Sequence, residues 1–176
     1  MHRTALSIAA ASLALAPVAA FAHPGHESAS LISGFVHPMG GVDHIIAMVA
    51  VGLLAARLGG RALWLVPASF VTAMAVAGAA GSMGAGLPYV ETGIAVSVLV
   101  LGAIAALGVA MPIAVAMGLV AFFAVFHGYA HGVEMSETVS GLAYGAGFVA
   151  ATAILHGVGI GLGWAIAGRR LPVEAN

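Results

Sequence analysis

The chain has 176 residues, of which 62% are hydrophobic and 6% charged, with a mean hydropathy of +1.12 and a formal charge of −1. A soluble domain carries charge on roughly a quarter of its residues, so this composition excludes one and reads as an integral membrane protein. The absence of lysine and of any arginine cluster beyond Arg169 and Arg170 excludes a nucleic-acid partner, and the absence of cysteine removes disulfides and thiolate chemistry.

The first element in chain order is a secretory signal. Arg3 is a thin basic region, an apolar run follows, and the small residues Ala20 and Ala22 precede His23. A cut after Ala22 leaves a mature chain that begins outside the cytoplasm; the competing reading is an uncleaved first helix. Five later stretches are long enough for the ~20 apolar residues that a bilayer demands: 31–56, 63–82, 90–109, 112–130 and 139–167. The breaks between them are short, and none of the runs shows the period-2 alternation of a barrel strand. The expected fold is therefore all-α, a polytopic transmembrane helical bundle of about five spans after a cleaved signal peptide. Its organisation would be a signal peptide at 1–22, the bundle at 23–170 and a short cytoplasmic tail at 171–176. Glycines such as Gly145, Gly147, Gly157, Gly159, Gly161 and Gly163 would let helices approach closely in lipid. With the mature N-terminus outside, five spans put Arg57, Arg61, Arg169 and Arg170 on the cytoplasmic side, as the positive-inside rule requires.

Against this apolar background the histidines and carboxylates stand out. In the first span, His37-Pro38-Met39-Gly40-Gly41-Val42-Asp43-His44 combines three polar side chains with residues that weaken a helix, which predicts a kinked or irregular turn between His37 and Asp43. Broken helices of this kind build ion sites in transporters. At the outer end of the fourth span, His127, His131 and Glu134 follow one another at helical spacing and share a stripe. His156 lies deep in the fifth span among apolar and glycine neighbours, where an interhelical hydrogen bond is a sufficient reason for it. An intramembrane charge such as Asp43 costs about 3 kcal/mol on insertion scales and usually marks an ion path.

Imidazoles and carboxylates without thiolates suit a borderline divalent transition metal, although ligand type does not choose among nickel, cobalt and zinc. Two other classes fit some of the same residues. An intramembrane metal-dependent hydrolase would use a histidine-bound zinc and Glu134 as base, but the His-Glu-x-x-His motif is missing, and Ser82 has no base partner legible in sequence as a nucleophile. A non-transporting metal-binding protein would need an output domain.

The segment from His37 to His44, followed by Met48 and Gly52, resembles the first signature of the HupE/UreJ family of nickel permeases, a His followed after five residues by Asp-His. Phe126-His127-Gly128-Tyr129-Ala130-His131-Gly132-Val133-Glu134 is similar to its second, Phe-His-Gly-x-Ala-His-Gly-x-Glu. The resemblance implies a secondary transporter that carries divalent nickel, or cobalt, across the bacterial inner membrane into the cytoplasm to supply hydrogenase or urease. It implies that His37, Asp43, His44, His127, His131 and Glu134 are the metal-handling residues. The metal is then substrate, with no prosthetic group; the partners are the ion and the lipid bilayer, and a homo-oligomer is compatible with the sequence. No Walker motif is present, so the chain itself is not an ATPase.

Overall fold

The computed structural model describes residues 31–135 and 141–168, and everything in them that is regular is helical. The segment expected to be a signal peptide, together with His23, His26, Glu137, Arg169, Arg170 and the last residues, lies outside the described residues. Among the described residues six helices follow in order: α1 Leu31–Gly40, α2 Val42–Leu58, α3 Ala62–Ser82, α4 Val90–Leu107, α5 Ile113–Glu134 and α6 Gly141–Gly168. The last four are long and apolar enough to cross a membrane, and α1 with α2 forms a pair bent by 88° that makes up to five spans.

The turn expected between His37 and Asp43 is present, as a break that divides the expected first span into two helices. Pro38 sits inside α1, and the break falls at Gly41, whose backbone is extended (φ −97°, ψ 117°). Proline near a helix end weakens the ladder without stopping the chain at once, and two consecutive glycines then give the cheapest place to leave it. Because α2 restarts one residue later, Asp43 lands in its first turn. Unpaired amides and the helix dipole favour a negative charge there, and the carboxylate is far from the costly position at mid-helix.

Polar residues are few in the interior, so the long helices are held by close backbone approach and apolar packing. On α5, a side chain at Gly128 or Gly132 would run into the carbonyls of Met74 and Gly78 on α3. Gly52 of α2 and Gly159 of α6 face each other in the same way, and Gly34 and Gly147 let α1 lie against the start of α6. Of the glycines expected to do this in α6, Gly145, Gly157 and Gly161 face open space, whereas Gly147, Gly159 and Gly163 are the packed ones. Met48, Val51, Leu54, Val66, Phe70, Leu101 and Val120 fill the centre, while Trp64, Leu99, Phe122, Leu142 and Trp164 point outward, as a lipid-facing surface allows. The tight pairings fix where the ends of α1, α2, α5 and α6 meet, and the site lies there.

Candidate metal centre

The bend at Gly41 turns α1 back across the ends of α5 and α6. This brings His37 to the residues of the second motif, although 94 positions separate it from His131 in the chain numbering. His37 Nε2 lies 3.4 Å from Glu134 Oε2, and His131 Nδ1 lies 3.5 Å from the same oxygen. These three residues each offer a ligand atom within 4.8 Å of the others, a spacing that could hold a metal ion. The helical stripe of His131 and Glu134, one turn apart on α5, delivers two of them, as their spacing predicts.

A second layer lies beneath. His131 Nε2 is 2.8 Å from His44 Nε2, and His44 Nε2 is 3.3 Å from His127 Nδ1. The rings meet edge to face, with centroids 4.5 Å apart for His44 and His131 and 4.6 Å for His44 and His127. Phe148 of α6 forms the floor, 4.4 Å from the His131 ring and 5.8 Å from that of His44. Side-chain exposure falls along this chain from 58% at Glu134 and 42% at His37 to 12% at His131 and 6% at His44. His127 is completely buried. The cluster therefore has a mouth and an inner end.

The nitrogen of each inner ring that faces away from its neighbours lies near an oxygen, which is within hydrogen-bond range for His127 alone. Ser97 of α4 uses its one hydroxyl proton on the Ile94 carbonyl at 2.6 Å, so its oxygen must accept from His127 Nε2 at 2.7 Å. That bond leaves the lone pair of His127 on Nδ1. Asp43 Oδ1 accepts the His44 amide at 2.9 Å and sits 3.8 Å from His44 Nδ1, an electrostatic contact beyond hydrogen-bond range that favours a proton on that nitrogen. Glu134 Oε2, 3.5 Å from His131 Nδ1, makes a similar electrostatic contact without a hydrogen bond. His44 Nε2, His127 Nδ1 and His131 Nε2 are turned toward one another, and with the ring protons on the outer nitrogens each would present a lone pair inward. Neutral rings held in this way cannot all hydrogen-bond to each other, whereas a shared cation satisfies them; carboxylates and hydroxyls behind metal-binding imidazoles serve this purpose in metal sites.

All six residues expected from the sequence are thus in one region, but not in one shell. Asp43 does not converge with Glu134 on a common point: it is half-exposed, bound to its own helix terminus, and lies behind His44. Ser97 was missed by sequence reasoning. It stands 30 positions before His127, a lone serine in an apolar helix, and nothing in the spacing ties α4 to α5. Ser82, weighed above as a nucleophile, donates its hydroxyl to the Ala79 carbonyl of its own helix at 2.9 Å. A cleft of ≈740 Å³ between α3, α5 and α6 reaches His131, with Met74, Gly128, Tyr144 and Phe148 among its walls.

Comparison with known proteins agrees with the two motifs. The family model described as HupE / UreJ protein matches residues 11–174. Protein HupE of Rhizobium leguminosarum bv. viciae is 46% identical over 162 residues, which are 92% of this chain and 84% of that relative. No solved structure matches the chain.

Proposed function

We propose, since this chain belongs to the HupE/UreJ family, that it is a permease carrying divalent nickel, with cobalt as a second cargo, across the bacterial inner membrane into the cytoplasm. The observation that carries this reading is the set of three inward-facing imidazole nitrogens at the buried end of a His37–His131–Glu134 mouth, inside a helical bundle built for lipid. A hydrated ion meets Glu134 and His37 first, because they are the most exposed. It then exchanges water for His131, His44 and His127, whose neutral rings replace hydration without adding charge. Glu134 at the mouth and Asp43 behind His44 supply two negative charges that offset those of the ion.

Arginine placement supports the orientation that uptake needs. Arg57 ends α2 and Arg61 opens α3, both at the end of the bundle away from Asp43 and His44. The positive-inside rule places that end in the cytoplasm, and the mouth then faces the periplasm together with the mature N-terminus. Several monodentate ligands in series also suit transport better than one closed cage, since conduction needs binding strong enough to enter and weak enough to leave.

Radioactive nickel influx into liposomes holding the purified protein tests the proposal, with His131→Ala alongside and cobalt or zinc as competitors. His131 is the one residue shared by the mouth and the inner layer, so its loss should abolish influx while the protein stays folded. Equal influx from both proteins would show that the ion does not pass this site. Stoichiometric binding with no influx from either protein would favour a non-transporting metal-binding role.

A further inference from the structure

One buried histidine lies outside the cluster. His156 of α6 is 2% exposed, and neither of its ring nitrogens has a hydrogen-bond partner among the described residues. The interhelical bond that would account for it on sequence grounds is not made. A buried polar group left unpaired costs free energy, so one that persists in an otherwise apolar helix calls for a specific cause.

Its position supplies one. Phe148, the floor of the cluster, is two turns earlier on α6, which places His156 about 12 Å further along the helix axis. Thr152 is on the same face between them, completely buried, and donates its hydroxyl to Met74 Sδ at 3.9 Å. One turn from Met74 on α3, the Phe70 ring meets His156 edge-on at 5.3 Å and lies 6.0 Å from His127. Polar atoms thus continue along the α3–α6 interface after the cluster ends. On its other side His156 lines a cleft of ≈350 Å³ with Leu63, Pro67, Ala68, Val71 and Gly157. Those α3 residues belong to the helix half that begins beside Arg61, at the end opposite the mouth.

We infer that His156 is a second, inward station for the divalent cation: it takes the ion through a ring nitrogen once the ion has passed Phe70, and hands it on along the α3–α6 interface toward the Arg61 end of the bundle. This rests on the permease reading. A single imidazole suits the step, because a borderline divalent ion binds it readily and one ligand lets go easily.

The alternative is that His156 only fills space against Phe70. Leucine is apolar and of comparable bulk, so His156→Leu removes an unpaired polar group without opening a cavity and should leave stability equal or higher; His156→Gln keeps polarity but replaces the imidazole. Both variants are compared with the unaltered protein by nickel influx into liposomes, equilibrium nickel affinity in detergent, and unfolding temperature. The expected result is an unchanged or higher unfolding temperature for the leucine variant and unchanged affinity for both, since the cluster is intact, with influx lower by about tenfold or more. A smaller loss of influx in either variant, or a loss that tracks a fall in affinity or in folded protein, overturns the inference. If the unaltered protein carries no nickel the permease reading fails and this station falls with it. Variants that carry nickel as well as an active unaltered protein remove the station alone.

Discussion

Ser97 has one hydroxyl, and its hydrogen bonds decide which nitrogen of His127 is bare. Ser97→Ala leaves the Nε2 proton of His127 buried without an acceptor, and the ring is then free to place its proton on the nitrogen that faces His44. Nickel affinity should fall about 10–100-fold, as when other supporting partners of metal-binding histidines are removed, and stability by about 1–3 kcal/mol. Ser97→Thr keeps a hydroxyl able to bond the same turn and should recover most of both. Calorimetric titration with nickel and thermal unfolding in detergent check the pair; an alanine variant with unchanged affinity would mean that the tautomer is set elsewhere. Asp43 is a contrasting case, because its carboxylate is half-exposed at a helix start and little depends on it structurally. Asp43→Asn should therefore insert and fold normally yet lose nickel influx, since the charge behind His44 is gone. Normal influx in that variant would remove Asp43 from the mechanism. The sequence pointed to Asp43 because a charge in an apolar run is conspicuous, and passed over Ser97 because a lone serine in such a run is not.

At the scale of helices, length and hydropathy located four of the spans to within a few residues, since continuous apolar runs separated by Gly- and Pro-bearing turns leave little choice. The α5 stripe of His127, His131 and Glu134 was legible for the same reason: one helix and one spacing settle it. The bend at Gly41 was only partly so. Pro38, Gly40 and Gly41 mark a weak point, but the 88° angle depends on how α1 finds room against α6, which local sequence does not encode. Nor did glycine content say which glycines pack. Gly132→Ala would drive a methyl group into the Gly78 carbonyl of α3, whereas Gly102→Ala on α4 meets nothing within 4 Å. The first should separate α3 from α5, displace His131 one residue away, and lower the unfolding temperature together with nickel affinity. The second should be neutral or stabilising by up to about 1 kcal/mol through helix propensity. Thermal unfolding of the two variants side by side makes the comparison; equal behaviour would show that the α3–α5 contact is softer than the structure indicates.

For the molecule as a whole, function depends on which way the bundle faces. The mouth at His37 and Glu134 and the arginine-bearing turn at Arg57 and Arg61 are at opposite ends of α2 and α3, so one measured loop orients the whole structure. The chain contains no cysteine, and each introduced cysteine is then a unique reporter. Ala85 is exposed in the turn after α3 at the mouth end, and Ala110 is exposed in the turn after α4 at the arginine end, where the Arg57 guanidinium packs beside Gly108. In bacterial cells expressing each single-cysteine variant, a maleimide that crosses the outer but not the inner membrane should label Ala85→Cys directly, and Ala110→Cys only after the inner membrane is permeabilised. The bias behind this expectation comes from arginines alone, since acidic residues contribute little to topology. Reversed labelling would place the mouth in the cytoplasm. The His37–His131–Glu134 group would then collect ions from inside the cell and His156 would lie on the periplasmic side, so the same geometry would support efflux rather than uptake.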